Sequence, residues 1–458
     1  MLTPSSHSIQ SIFTPKHAFH IKHKSYICIQ STIIMDKSII KSIILQNQER
    51  IETIPLQKRK IKFEQQGNYV LVGLRRAGKS YMLYQNIQDR IQTGESKRED
   101  ILYINFEDDR LLLRNQEDLD MVITAYQEMY VNHKPVVYLD EIQIVSGWEK
   151  FARRLADTQY QVFITGSNAN MLSREIATTL GGRYIVREVY PFSFDEFLTY
   201  KGIELNSNWE YAPVATKVRG LFDEYFSYGG FAEVFSRADK REWINSLCQK
   251  ILLGDIIARN DIRNASLIRL LVKKLAESVM QPTTQTRLLN ILQSTGVKLG
   301  RNTISEYLSY MDDAYLTFSI TNFTDSLAER ISNRKRYFSD NGLLNNYLFD
   351  PITKLLENLV AVTLLKKYGG REDDDLYYYN KGVEVDFYVP SQGLAIQVSY
   401  NISDLDTRER ETKALFKMAT VFPLKKLMII TMDQETTIQE KEKTIEVVPV
   451  WKWLLREI

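Results

Sequence analysis

Cysteine is scarce in this 458-residue sequence, which contains only Cys28 and Cys248. Two cysteines cannot supply a disulfide framework, so the sequence is not that of a small disulfide-stabilised secreted protein. It also lacks any run of about 18 uninterrupted apolar residues, which excludes a membrane-spanning helix. Neither sign of charge dominates, because the sequence has 59 basic and 57 acidic residues and a net charge of +2. The sequence predicts a cytoplasmic protein in which any nucleic-acid-binding surface is local.

The composition is otherwise that of a globular protein, since 44% of the residues are hydrophobic and 25% are charged. At about 150 residues per domain, the length predicts about three domains. The first 34 residues stand apart, because they contain no acidic residue and hold four of the five histidines. We expect translation to begin at Met35 and residues 1–35 to be a leader that is disordered or absent from the native protein.

A phosphate-binding loop is the strongest motif. The apolar run Tyr69–Val72 predicts a strand, Gly-Leu-Arg-Arg-Ala-Gly-Lys-Ser follows it, and a helical pattern comes next. The glycines let such a loop wrap a phosphate, so that its N–H groups point inward at the positive end of the helix. We therefore predict an ATP site in which Lys79 contacts the β- and γ-phosphates and Ser80 binds Mg²⁺. The predicted nucleotide-binding residues are Gly73, Arg75, Arg76, Ala77, Gly78, Lys79, Ser80 and Asp140.

Further strand-like runs follow at residues 101–106, 135–139, 161–165 and 184–189. Together with the first strand and the helical segments between them, they predict an α/β fold with a five-stranded, mostly parallel sheet.

Polar residues follow two of these strands. The third strand carries Asp140 to the carboxyl edge of the sheet, where it can bind Mg²⁺ with Ser80, and Glu141 is the candidate base for water. The fourth strand leads into Asn168, which we assign to orienting the attacking water, with a helix N-cap as the alternative. Glu107, after the second strand, belongs either to an outer metal shell or to a solvated acidic loop. His133 is predicted to be a solvated loop residue.

Several motifs occur in a characteristic order. They are GLRRAGKS, VVYLDEIQ, TGSNA, Leu180–Arg183, Pro191–Phe197, Tyr228–Glu233, Glu357–Val360, Glu384–Phe387 and Trp451–Leu455. On these motifs, residues 36–458 resemble prokaryotic AAA-type P-loop ATPases that carry a C-terminal domain of unknown function. The resemblance implies ATP binding and hydrolysis, and a restriction-nuclease-like fold for the C-terminal domain.

Arg183 follows two glycines and precedes a strand, so its guanidinium could face the γ-phosphate of a neighbouring subunit in a homo-oligomer. A surface ion pair with an acid such as Glu188 is the equal alternative, and Arg174 is a weaker candidate for the same role.

Four regions follow from these patterns. They are an AAA-type core (36–200), a helical lid (201–280), a winged-helix-like module (281–345) and a degenerate restriction-nuclease-like domain (346–458). In the lid, Arg259 or Arg263 is a candidate phosphate sensor, with an inter-helix salt bridge as the alternative.

The sequence pattern of the winged-helix-like module predicts a helix, a turn, a second helix and a strand. Such a module can present its second helix to DNA, or it can be a packing unit between domains. Its basic residues are Arg287, Lys298, Arg301, Arg330, Arg334, Lys335 and Arg336.

Active members of the restriction-nuclease fold gather a helix Glu, an Asp and an acid-x-Lys pair around Mg²⁺. Glu357 and Asp386 match the first two positions, whereas Gln397 and Ser399 replace the third acid and the lysine. Lys381 is the candidate substitute lysine. We interpret the C-terminal domain as a degenerate nuclease fold that is used for binding.

These features predict an ATPase that requires Mg²⁺ and whose nucleotide state controls a C-terminal binding module, with DNA or a protein as the candidate partner. One alternative is an ATP-gated scaffold that binds nucleic acid or protein with negligible turnover. A metal-dependent nuclease is the less favoured alternative.

Overall fold

The computed structural model describes residues 36–456, apart from residues 114–115, 168–177, 295, 297, 370–374 and 441. The leader expected at residues 1–35 lies outside the described residues. Helices α1 to α8 are Lys37–Thr53, Lys79–Thr93, Gln116–Met129, Trp148–Asp157, Phe194–Tyr200, Val214–Tyr228, Ala232–Phe235 and Lys240–Lys250. A π-helix, Ile251–Ala258, continues α8. Helices α9 to α16 are Ala265–Glu277, Gln285–Gln293, Arg301–Asp313, Leu327–Ser332, Asn341–Asn345, Ile352–Tyr368, Leu405–Val421 and Val450–Arg456.

The strands form two sheets. Strands β1 to β5 are Asn68–Val72, Ile101–Asn105, Val136–Asp140, Val162–Gly166 and Tyr184–Glu188. Strands β6 to β14 are Thr283–Thr284, Thr317–Asn322, Asn333–Phe338, Tyr377–Asn380, Glu384–Val389, Leu394–Val398, Lys426–Thr431, Thr436–Glu440 and Lys443–Pro449.

The first sheet confirms the predicted α/β fold. Its five strands are all parallel and lie in the order β2-β3-β4-β1-β5. Strand β4 is buried along its whole length, as expected for a parallel sheet that is covered on both faces. Because β4 lies between β1 and β3, the segments that follow these three strands meet at one edge of the sheet.

Helix α1 packs on this sheet through a stripe of isoleucines. Ile40, Ile43, Ile44 and Ile51 are buried at helical spacing. The side chain of Asp36 caps the helix by accepting a 2.8 Å hydrogen bond from the backbone N–H of Ser38.

The second sheet has nine strands in the order β13-β14-β12-β11-β10-β9-β7-β8-β6. Strand β7 pairs in parallel with β9, with Thr321 opposite Tyr377. Residues 281–345, which were predicted to form a winged-helix-like module, and residues 346–458 therefore contribute strands to one continuous sheet. The order of elements from α14 to β12 is helix, three strands, helix, strand.

Within residues 36–456 and the gaps given above, no helix has both the length and the apolar composition needed to cross a membrane.

Candidate nucleotide-binding site

The phosphate loop occupies the turn between β1 and α2. Gly73 has φ +145° and packs so tightly that a Cβ there would lie 2.2 Å from the carbonyl oxygen of Val189. Gly78 has φ +97°, a region that favours glycine. Helix α2 begins at Lys79 without a side-chain cap. Its first N–H groups therefore point into the loop with no capping side chain, as a phosphate site requires.

Lys79 is buried at the centre of this loop. Its Nζ donates 3.1 Å hydrogen bonds to the carbonyl oxygens of Gly73 and Leu74 and lies 3.8 Å from Oε1 of Glu141. Burial lowers the pKa of Lys79, and the acids Glu141 and Asp140 oppose that effect. The ammonium group is thus desolvated and would gain from an anionic ligand.

Asp140 lies at the end of β3 as predicted and is 1% exposed. The hydroxyl of Tyr103 donates a 2.6 Å hydrogen bond to its Oδ2, and the hydroxyl of Thr165 donates one to its Oδ1. The nearby hydroxyl of Ser80 also lowers the pKa of the carboxylate. Burial raises the pKa of Asp140 despite these bonds. Ser80 and Asp140 thus bring together two oxygen ligands of the kind that Mg²⁺ prefers.

Glu141 follows directly, with a left-handed backbone at φ +55°. Its N–H donates a 3.0 Å hydrogen bond to the hydroxyl of Thr165. Its Oε2 accepts hydrogen bonds from the side chain of Gln143 and from the N–H of Ser167, while Oε1 faces Lys79. Thr165 therefore orders both acids, a role that the sequence reasoning missed although this residue lies in the quoted TGSNA motif.

Ser167 points to a ligand at this edge. It is 2% exposed, and its hydroxyl has no hydrogen-bond partner among the described residues. A buried hydroxyl without a partner is costly, so this group suits a water molecule or a phosphate oxygen beside Glu141. Asn168, which was predicted for this role, and Arg174 lie outside the described residues.

The two arginines of the phosphate loop extend toward the region that follows the core. Arg75 forms a two-pronged ion pair with Asp255 in the π-helix, at 2.8 and 3.0 Å, and its Nη1 lies 3.4 Å from Glu107. Arg76 pairs with Glu233. Glu107 therefore contacts a side chain of the phosphate loop, although its own side chain is 46% exposed.

The other predicted basic residues of the core and lid make different contacts. Arg183 pairs with Asp157 of the same chain, and its Nη1 donates a 3.1 Å hydrogen bond to the carbonyl oxygen of Gly181. Arg259 contacts Asp255, whereas Arg263 is exposed. His133 is a surface residue that pairs with Asp100.

The basic residues of the winged-helix-like stretch divide into two groups. Arg287, Lys298 and Arg301 are exposed. The others make internal contacts: Arg330 with the carbonyl oxygens of Phe323 and Asp325, Arg334 with Ser319, and Arg336 with Asp312. Lys335 is 0% exposed, so it cannot reach DNA.

The C-terminal acids meet around Lys335. Its Nζ lies 2.9 Å from Glu384, 3.1 Å from Asp386 and 3.8 Å from Glu357. Burial opposes the charge of Lys335, but the acids raise its pKa above the ordinary value. Within the described part of the chain, no group of three or more His, Cys, Asp or Glu side chains is arranged to hold a metal ion.

The expectation for Lys381 was wrong. Lys381 is exposed at the turn between β9 and β10. The lysine among the acids comes from β8, because β8 and β10 belong to the same sheet. Gln397 also lies in this cluster, and its side chain bonds to the backbone of Asp386 and Glu384.

Comparisons with known proteins agree with the core geometry. A family model described as an AAA domain matches residues 65–198. A model described as a domain of unknown function (DUF8612) matches residues 219–352. The parallel sheet, the phosphate loop and the first match define an AAA-type P-loop domain.

Two relatives align with this chain over nearly the whole of their own length. The chain is 34% identical over 440 residues to the uncharacterized protein MJ1544 of Methanocaldococcus jannaschii, covering 93% of this chain and 97% of that protein. It is 31% identical over 399 residues to an uncharacterized protein of Haemophilus influenzae, covering 84% and 94%. The chain belongs to the family of AAA-domain proteins that includes these two relatives.

Solved structures show more distant similarity. A Walker-type ATPase of Pyrococcus abyssi aligns with 69% of this chain and 96% of that chain at 12% identity, with a TM-score of 0.39. The Orc1 protein of Aeropyrum pernix in complex with DNA aligns with 71% and 93% at 15% identity, with a TM-score of 0.29. Similarities this distant say nothing about what this chain binds.

Proposed function

We propose that this chain binds ATP with Mg²⁺ and hydrolyses it, and that its nucleotide state controls the regions that follow the core. One observation carries the proposal. Lys79, Ser80, Asp140 and Glu141 meet at the carboxyl edge of the parallel sheet, next to the glycine-flanked loop. The hydroxyl of Ser167 lies beside them and has no hydrogen-bond partner within the part of the chain that the structure describes. Membership of an AAA-domain family implies a nucleotide and, in most such proteins, Mg²⁺.

Each residue has a distinct role in this proposal. Lys79 exchanges its two carbonyl partners for phosphate oxygens. Ser80 and Asp140 would hold Mg²⁺, which neutralises phosphate charge when it is bound. Glu141 accepts a proton from the attacking water, and Ser167 together with Asn168 orients that water.

Coupling to the rest of the chain runs through the loop arginines. Arg75 and Arg76 pair with Asp255 and Glu233, which lie 180 and 157 residues further along the chain. Both acids belong to the stretch matched as a domain of unknown function. A change in loop conformation on ATP binding therefore changes the ion pairs of that stretch directly.

For the C-terminal region we propose binding without cleavage. Gln397 replaces the third acid of the active set, and both ends of its side-chain amide are already bonded to the backbone of Asp386 and Glu384. This supports the interpretation of residues 346–458 as a degenerate nuclease-like fold. The exposed Arg287, Lys298 and Arg301 favour DNA as the partner of the winged-helix-like stretch.

The first experiment measures binding of Mg²⁺-ATP by titration calorimetry. Lys79→Ala should abolish binding, because it removes the central cation of the loop. The control is Lys150→Ala, which changes an exposed lysine on helix α4. Equal ATP affinity in the wild type and Lys79→Ala would refute the proposed site.

Turnover separates the ATPase from the ATP-gated scaffold. Glu141→Gln should keep ATP affinity within about threefold and lower the hydrolysis rate by about 10²-fold or more, the usual scale for a general base. The scaffold is favoured by the two hydrogen bonds that already hold Oε2 of Glu141. Tight binding with negligible turnover in the wild type itself would establish that alternative.

A further inference from the structure

The pair formed by Arg75 and Asp255 joins the nucleotide loop to the π-helix. Nε and Nη2 of Arg75 each contact a different oxygen of Asp255, at 2.8 and 3.0 Å. The side chain of Asp255 is 3% exposed and that of Arg75 is 18% exposed. Such a two-pronged, nearly dry pair fixes the direction of the guanidinium.

The position of Arg75 places it beside the proposed γ-phosphate site. The ammonium group of Lys79 donates hydrogen bonds to the carbonyl oxygens of Gly73 and Leu74. Arg75 is the residue that follows Leu74 in the loop. Nη1 of Arg75 lies 3.4 Å from Oε1 of Glu107, which follows β2 at the carboxyl edge of the sheet. Glu141 follows the neighbouring parallel strand β3 at the same edge. The guanidinium therefore lies at the edge of the sheet where the phosphate-binding cation and the proposed base meet.

The element that holds Arg75 is unusual. Asp255 lies in a π-helix of eight residues, Ile251–Ala258. Wide helical turns of this kind are rare and occur often at functional sites. Arg259, one turn further on, also contacts Asp255, at 3.3 Å, so two arginines share one buried carboxylate.

We propose that Arg75 is a catalytic residue that stabilises the transition state of ATP hydrolysis within its own subunit, and that Asp255 restrains it until the π-helix moves. This inference rests on the proposed ATPase function and adds its regulation. The region matched as a domain of unknown function then sets the rate of hydrolysis through the position of Asp255.

The chemical step is ordinary hydrolysis. The oxygen of water forms a bond to the γ-phosphorus, and the bond between that phosphorus and the β,γ-bridging oxygen breaks. Glu141 takes the proton of the attacking water, and ADP and phosphate leave. Arg75 takes part in no bond change, because its guanidinium only offsets the negative charge that develops on the phosphoryl oxygens.

The test compares kcat and Mg²⁺-ATP affinity in four variants of the full chain. Asp255→Asn keeps the shape of the side chain but loses its charge, so it should raise kcat at least threefold with the ATP Kd unchanged within a factor of two. Arg75→Ala should lower kcat by about 10³-fold, the lower end of the effect of an arginine finger. Asp255→Asn should give no increase when Arg75 is already alanine. The matched control is Asp261→Asn, an exposed aspartate just beyond the π-helix, which should leave kcat unchanged.

Arg259→Gln covers the case in which Asp255→Asn fails to fold. It removes the competitor for Asp255, so Arg75 should be held more firmly and kcat should fall at least twofold. If the pair of Arg75 and Asp255 had only a structural role, Asp255→Asn and Arg259→Gln would not change kcat in opposite directions.

The outcomes separate the two proposals. Wild-type protein that does not bind ATP would overturn both. ATP binding that depends on Lys79, combined with a kcat unaffected by Arg75→Ala or an Asp255→Asn effect that persists without Arg75, would overturn only the inference about Arg75.

Discussion

Replacing Lys335 with methionine should destabilise the C-terminal region strongly. Methionine has a similar length, so it fills the same space and removes only the charge. The three acids around it, Glu357, Glu384 and Asp386, would then lose their shared cation. Glu357 is the most affected, because it is 1% exposed and cannot be solvated by water.

The expected magnitude follows from the burial of the cluster. Removing one partner of a buried ion pair costs about 3–5 kcal/mol, because the remaining charge is left without compensation. With an m value of about 2–3 kcal/mol per M in urea, the unfolding midpoint should fall by about 1–2.5 M. Burial and the neighbouring Asp386 already raise the pKa of Glu357 to about 8, and Lys335 opposes that rise.

The pH dependence gives this prediction a definite sign. Without Lys335 the pKa of Glu357 in the folded state rises further, so the variant stays protonated at pH values where the wild type ionises. The loss of stability should therefore be smaller near pH 6 and larger near pH 9.

Urea unfolding followed by tryptophan emission at both pH values measures these effects. The control is Lys381→Met, since Lys381 is exposed and its loss should cost less than about 0.5 kcal/mol. Adding Glu357→Gln to Lys335→Met should recover part of the stability, and this double variant also serves if the single variant does not fold. A loss below about 1 kcal/mol at pH 9, with no difference from pH 6, would refute the reasoning.

Three further predictions concern assembly, DNA and pH. If Arg183 acts on a neighbouring subunit, ATPase activity per subunit should rise with protein concentration, and mixing Arg183→Ala with Lys79→Ala should restore activity that neither variant has alone. If the winged-helix-like stretch contacts DNA, fluorescence anisotropy should show affinity that falls steeply with salt, and Arg287→Glu with Arg301→Glu should weaken it at least tenfold; unchanged affinity would argue for a packing role. Burial raises the pKa of Asp340 to about 6, so the free energy of unfolding should fall by up to about 3 kcal/mol as the pH rises from 4 to 7, and Asp340→Asn should flatten that slope.

The geometry of the candidate site could be predicted because its residues are close in sequence to the strands that position them. The phosphate loop follows β1 directly, and Asp140 and Glu141 follow β3. The strand bounds agree with the prediction within one residue at each end. Once the strands are recognised, parallel packing brings their carboxyl ends together without further information.

Lys335 was grouped with the basic residues of the predicted winged-helix-like module because its neighbours in sequence are basic, yet it is buried. The strand period of two could have corrected this, since Lys335 and Tyr337 are buried on one face of β8 while Arg334 and Arg336 are less buried. The acids that contact Lys335 could not be predicted from its neighbours in sequence. Glu357 and Asp386 lie 22 and 51 residues further on and come close to Lys335 only through the shared sheet.

The partner of Arg75 was also beyond local reasoning, since any of many acids could pair with a loop arginine. Its identity matters because a buried ion pair adds little net stability, while the loss of one partner is costly. A chain gains more stability from an apolar contact at the same place, so stability alone does not account for Asp255. A charged contact differs in that a phosphate can compete for the arginine, which an apolar contact would not allow. The pair of Arg75 and Asp255 is therefore better suited to a contact that breaks when a phosphate binds the arginine than to one that only holds two regions together.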